Sequence, residues 1–271
     1  MSARNTSALP PLGIFAWFGV PIPFQERMKI IKDAGFEATS VWWEEKDAEK
    51  RKLRHLAPDA VRGAGLYLEN IHVPYRGCND LWASDTAKRE NAVDRHIGWV
   101  NDCARHEIPR MVMHVTTGKR LPPPNDEGVD AVRRLVGAAE DHSVRIALEN
   151  SRSMQHLEAL LARIDSPNLG LCYDVGHDWA WADEPFHLLD AWGNRLLTTH
   201  LSDNNGKRDH HWIPGEGTID FDRLSQSLDW SSYAGVLSLE VVPKDKKEDP
   251  EVFLARAYQA ACKLRERLLH R

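Results

Sequence analysis

Nine side chains able to hold a metal ion or move a proton stand at or just beyond the ends of separate apolar runs: His72, His114, Glu149, Asp174, His177, His200, Asp209, His211 and Glu240. Six of them close or nearly close a strand-like segment: ENIHVP, MVMHVT, IALENS, LCYDVGH, TTHLSD and LSLEVV. A buried acid or imidazole is costly unless paired or metal-bound, so six at equivalent places point to one shared polar centre. Glu149, Asp174, His200 and Glu240 form an oxygen-rich set with a single imidazole, suited to a divalent metal such as Mn²⁺, Mg²⁺, Co²⁺ or Zn²⁺. His72 and His114 could hold a second ion with Glu149 as the bridging carboxylate, or serve as hydrogen-bonded histidines that touch substrate. His177, in DVGH, could join the D-x-H unit of Asp209 and His211 in a third site, although His210 alongside leaves the register open.

For these ligands to meet, the segments carrying them must converge. Eight short apolar runs are strand candidates: Gly13–Phe18, Ala38–Trp43, Leu66–Val73, Pro109–Val115, Arg145–Asn150, Leu169–Asp174, Leu196–Ser202 and Gly235–Val242. They alternate with segments of helical spacing or charge, among them Pro23–Ala34, Asp85–His106, Glu127–His142, Ser153–Ile164, Asp220–Leu228 and Pro250–Leu269. In the second of these helices, Ala87, Val93, Ile97, Val100 and Ala104 recur at the spacing of a sheet-facing stripe. The alternation predicts an α/β chain with parallel strands. Its 271 residues match one (β/α)8 TIM barrel, typically ~250 residues, whose C-terminal strand ends carry catalysis. A doubly wound sheet would announce itself with a glycine-rich phosphate turn, and AWFGVPIPF offers none. We expect a disordered N-terminal lead-in over residues 1–12 and a single barrel over residues 13–271.

The net charge of −5 gives no global basic field, which argues against a nucleic-acid partner. Four cysteines without CxxC spacing read as reduced thiols of a cytoplasmic protein. The polar start MSARNTSALPP has no apolar h-region, and no stretch is long enough to cross a bilayer, so no membrane partner is expected. Ten tryptophans are many for this length. Trp17, Trp42, Trp43, Trp179 and Trp181 fall at or just after strand-like runs, where aromatic walls would pack against the C–H faces of a sugar. Lys207 or Arg208, with His177, could bind hydroxyl or phosphate groups.

The segments IHVPY, MVMHV, ALENS, CYDVGH, THLSDNNGKRDHHWIPGEGTIDF and SLEVV resemble those of the xylose isomerase-like TIM-barrel superfamily, which contains sugar-phosphate isomerases and epimerases and apurinic endonuclease IV. The resemblance runs from Gly13 to Leu268, and DVGH with PGEGTIDF makes it specific. It implies one divalent ion on Glu149, Asp174, His200 and Glu240, with both Glu moving protons, and a small sugar, keto-sugar or sugar phosphate as substrate. The ion would chelate a carbonyl and its neighbouring hydroxyl, while Glu149 and Glu240 remove and return the proton between them. A sugar lyase or dehydratase could use the same groups. The endonuclease branch implies instead a trinuclear zinc phosphodiesterase. There His72, His114 and Glu149 would hold the first ion, the four-residue set the second, and His177, Asp209 and His211 the third. The early loops FGVPIPF and WWEEKD are aromatic and acidic where a DNA backbone would favour Lys and Arg, so isomerase or epimerase chemistry is the expectation. Related barrels often assemble as dimers or tetramers, which extends a homo-oligomer to the expectations here.

Overall fold

The computed structural model describes residues 9–43 and 54–269. Eight parallel strands form the sheet: β1 (Leu12–Phe15), β2 (Ala38–Trp42), β3 (Tyr67–His72), β4 (Arg110–His114), β5 (Arg145–Glu149), β6 (Leu169–Asp174), β7 (Leu196–His200) and β8 (Leu237–Leu239). They pair in the order β7-β6-β5-β4-β3-β2-β1-β8. The ring closes just past β7, where Leu201 N donates to Ser238 O at 2.8 Å and Glu240 N donates to Leu201 O at 3.1 Å. The chain is a (β/α)8 barrel.

Around the strands run α1 (Phe24–Asp33), α2 (Ala57–Gly63), α3 (Thr86–Arg105), α4 (Asp126–Asp141), α5 (Met154–Arg163), α6 (Val175–Trp181), α7 (His187–Trp192), α8 (Phe221–Gln226) and α9 (Pro250–Leu269). Side-chain caps fix where several begin. Asp85 accepts from Lys88 N at 3.2 Å to start α3, and Asn125 accepts from Gly128 N at 2.8 Å to start α4. Each satisfies a backbone donor that the first helical turn leaves without a partner.

Three differences from the sequence reading have physical causes. β1 starts at Leu12, inside the expected lead-in, because Glu37 N donates to Leu12 O at 2.9 Å and Leu237 N donates to Pro11 O at 3.0 Å; residues 1–8 lie outside the described residues. On α3, Val93 and Val100 of the expected stripe are buried and Ile97 and Ala104 pack partly buried against the core, but Ala87 is exposed, and Ala92, His96, Trp99 and Cys103 widen the buried face. The Trp99 ring, 1% exposed, is the largest side chain on that face. β8 is three residues long rather than the eight of Gly235–Val242, since pairing stops where Val242 N turns to donate to His211 O at 2.7 Å.

Side chains alternate between the two faces of a strand, so one set fills the barrel and the other meets the helices. The main apolar core lies between strands and helices, whereas Val112, Ala147, Cys172 and Leu197 make a small cluster of their own. Near it Glu69, fully buried, accepts from Thr198 Oγ1 at 2.6 Å, and burial pushes its carboxyl up to about 7. The ligand candidates cluster at the C-terminal ends of the strands.

Candidate active site

Strand register does the positioning. His114 pairs with Glu149 and Asp174 with His200 across neighbouring strands, while His72 pairs with Trp42. Because parallel strands of a closed barrel tilt around one axis, these side chains meet above the small interior cluster. One ligand atom each from Glu149, Asp174, His200 and Glu240 lies within 4.8 Å of all the others, and the same holds for His72, Glu149 and His200. The four residues expected to hold one ion are brought together.

Glu149 is the hub. Its Oε2 is 2.7 Å from His72 Nε2 and 2.9 Å from His114 Nε2, and its Oε1 is 3.1 Å from His200 Nδ1. His200 Nδ1 is also 2.9 Å from Glu240 Oε2. Asp174 serves two purposes. Its Oδ1 caps α6 by accepting from His177 N at 2.7 Å, while its buried Oδ2 has no hydrogen-bond partner. Asn150 locks this corner: its Nδ2 donates to Asp174 O at 2.8 Å, and its Oδ1 accepts from Asp174 N at 2.7 Å.

A second group adjoins the first. Asp209 Oδ2 lies 3.3 Å from His177 Nε2 and 2.7 Å from His211 Nε2, and His211 Nδ1 is 3.1 Å from Glu240 O. The register of the D-x-H unit is therefore settled: His211 turns inward from a backbone of φ 52°, whereas His210 stacks on Trp212 at 4.3 Å.

These contacts set the charges. Burial alone would raise Glu149, but the His114, His200 and His72 imidazoles outweigh it and hold the carboxyl well below its usual range. Burial also opposes ionisation of Glu240, yet His200 and His211 bring it down to about 2. Asp174 is pushed up to about 7, since burial acts first and, against the help of His177, Asp209, Glu149 and Glu240 add like charge. Burial disfavours a charged His177, but Asp174, Asp209 and Glu149 raise it to about 10. Three carboxylates and the His200 imidazole so gathered, with Asp174 Oδ2 buried and without a hydrogen bond, form a donor set that fits a divalent cation.

Aromatic rings back the histidines. Trp42 stacks on His72 at 5.2 Å, Tyr75 lies 5.4 Å from His114, and Trp181 stacks on His177 at 4.5 Å with Arg152 4.2 Å from the Trp181 ring centre. Trp17 is 47% exposed and, with Trp42 and Glu240, lines a cavity of ≈ 970 Å³ that opens beside the cluster. Trp43 is not a pocket wall. It is fully buried on the outer face of the barrel, donating Nε1 to Asp102 Oδ2 at 2.9 Å, because it sits one residue beyond Trp42 and alternation turns it outward. Trp179 lies apart from that cavity and donates Nε1 to Thr218 Oγ1 at 3.1 Å. Lys207 and Arg208 are exposed on the loop after β7.

Sequence reasoning missed the supports. Asp203 accepts from Gly215 N at 2.9 Å, Gly217 N at 2.8 Å and Ile219 N at 3.1 Å, folding PGEGTID back against β7. A Cβ on Gly217 would overlap Asn204 O and Asp203 Oδ1, so only glycine lets the loop close this tightly. The acid stands in THLSD, but no spacing rule ties it to the amides of PGEGTID, so its role is not legible there.

A family model described as a xylose isomerase-like TIM barrel matches residues 28–258. The chain is 26% identical over 276 residues to the uncharacterized protein y4fM of Sinorhizobium fredii, covering 88% of each. It is 22% identical to L-ribulose-5-phosphate 3-epimerase UlaE of Salmonella paratyphi A over 86% of each, and 24% identical to an inosose dehydratase of Clostridium beijerinckii over 51% of each. In fold it is similar to D-psicose 3-epimerase with D-tagatose from Clostridium cellulolyticum H10, with a TM-score of 0.74 at 15% identity over 96% of this chain and 99% of that one.

Proposed function

The chain belongs to the xylose isomerase-like TIM-barrel family, and on that footing we propose that it is a divalent-metal-dependent isomerase or epimerase of a small sugar, keto-sugar or sugar phosphate. The observation that carries this reading is the convergence of Glu149, Asp174, His200 and Glu240 within 4.8 Å at the strand ends. The epimerase and dehydratase relatives support it, since both names describe sugar or cyclitol chemistry.

Those four residues would hold the ion, and when bound it would polarise a sugar carbonyl and its neighbouring hydroxyl, acidifying the C–H between them. The protein's own groups do the rest. Glu240, whose side chain is 21% exposed and lines the cavity, removes the proton on the open side. Glu149, at 1% exposure, faces the same carbon from the barrel side and, being held as a carboxylate, returns a proton that it first takes from the His72 or His114 imidazole against its Oε2. His72 and His114 fix the rotamer of Glu149 by holding one of its oxygens. The apolar walls exclude water, which strengthens each electrostatic contact. Expelling a leaving group β to the carbonyl would start from the same proton removal and would make the enzyme a lyase. The four free cysteines suit a reducing cytoplasm, and among the described residues no helix is long and apolar enough to cross a membrane.

Incubating the Mn²⁺-loaded protein with a panel of ketohexoses and ketopentoses in D₂O tests the reading. Deuterium should enter at the carbon beside the carbonyl, with formation of the epimer or aldose. No exchange with any member of the panel would reject it.

A second reading has its own observation: His72 and His114 both meet Glu149 Oε2, and His177 and His211 both meet Asp209 Oδ2. All nine candidates thus join one cluster, which suits a multinuclear phosphodiesterase. Cleavage of an abasic-site duplex would favour it.

A further inference from the structure

We propose that the cavity beside Glu240 is a subsite for an aromatic substituent carried by the sugar substrate. The inference rests on the sugar reading above and adds what the sugar is attached to. A volume of ≈ 970 Å³ lies at the upper end of the ~300–1,000 Å³ that suits drug-sized ligands, and a lone hexose is far smaller. Glu240 forms the inner end and Trp17, Phe24, Trp42, Leu56 and Tyr75 form the walls. Whatever fills the cavity therefore continues outward from the group that moves the proton.

The walls are apolar where a soluble surface would normally be polar. Trp17, Leu56 and Tyr75 are 47%, 54% and 47% exposed, and they are three of the six large apolar side chains this open among the described residues. Apolar surface gathered in one concavity marks a binding site rather than chance exposure. The indole faces of Trp17 and Trp42 favour offset or edge-to-face contact with another ring.

The cations nearby are already engaged. Arg27 donates to Ile22 O at 2.7 Å and lies 4.9 Å from the Trp17 ring centre, and Arg54 lies 3.1 Å from Asp102. A phosphate placed here would lose water and meet aromatic carbon, which is unfavourable. A second sugar ring could lay a C–H face on the same walls, but its hydroxyls would meet a lining that is mainly aromatic and aliphatic.

Calorimetry on the full-length Mn²⁺-loaded protein can decide, using D-fructose, 1-deoxy-1-(methylamino)-D-fructose, 1-anilino-1-deoxy-D-fructose and D-fructose 6-phosphate as probes. The anilino sugar should bind about tenfold more tightly than the methylamino sugar, in keeping with one or two aromatic contacts. Trp17→Ala and Leu56→Ala, both at open positions where folding is not at stake, should each cut that ratio to about threefold or less. Equal affinities, tighter binding of the phosphate, a ratio that survives both substitutions, or no binding of any probe would overturn the subsite. Exchange of the proton of D-fructose without an aryl preference would remove the subsite and leave the isomerase reading standing. An aryl preference without exchange would do the reverse.

Discussion

Trp42 and Trp43 are neighbours in the chain and face opposite ways: Trp42 stacks on His72 at 5.2 Å inside the barrel mouth, and Trp43 hydrogen-bonds Asp102 at 2.9 Å behind its wall. Their substitutions should separate accordingly. Trp42→Ala should weaken sugar binding by ~0.5–1.5 kcal/mol with little change in stability. Trp43→Ala should lower stability by ~3–5 kcal/mol, the range for a large buried aromatic. Dissociation constants and urea midpoints for both variants check this; a stability loss confined to Trp42→Ala would contradict the assignment of faces.

Glu149→Gln and Glu240→Gln should each reduce turnover by ~10²-fold or more while the protein stays folded, since each removes a proton-transfer group. Glu149→Gln should also release His72 and His114, which share one of its oxygens. Turnover and solvent-deuterium incorporation are the readouts. Exchange at the wild-type rate in both variants would rule out a two-base mechanism.

Metal content distinguishes the two functional readings. An isomerase should retain about one ion per chain, with Asp209 and His211 left to hold the loop or the substrate. Elemental analysis of the purified protein and of the Asp209→Ala/His211→Ala variant should then give the same count. Three ions falling to two would favour the phosphodiesterase. Dialysis against a chelator should abolish activity, and adding Mn²⁺, Co²⁺ or Zn²⁺ back should restore it.

Acid should destabilise the protein through His96, far from the ligand cluster. Burial lowers this imidazole from 6.5 to about 4, and its Nδ1 lies 2.6 Å from Ala92 O as the donor of a neutral ring. The folded state thus binds the proton less readily than the unfolded chain, so stability is full above pH 6.5 and lost as pH falls toward 4. The loss is ~3 kcal/mol over that window. Urea midpoints at pH 7 and pH 4.5 should differ less in His96→Leu than in the wild type. An equal difference in both would exclude His96 as the cause.

Much of the site could be read from the chain because each ligand closes an apolar run. Glu149, Asp174 and His200 are nearly or fully buried at strand ends, and an acid or imidazole there stands out against Leu, Val and Ile. What could not be read depended on rotation or on short elements. Nothing in the WW pair says which ring faces the barrel until the end of β2 is placed. α2, α6 and α7 span seven, seven and six residues, too few for an apolar stripe to show. The choice of His211 over His210 rests on a positive φ that no spacing rule supplies.

Asp203 gathers three amides from Gly215 to Ile219 and thereby fastens the far end of the loop to the strand from which it departs. The stretch between is not free to vary as a whole, because it carries Asp209 and His211 into the ligand cluster. The exposed side chains at its turn, Lys207 and Arg208, can change without touching either the clasp or the cluster. Diversification of substrate preference could proceed there while the clasp stays the same.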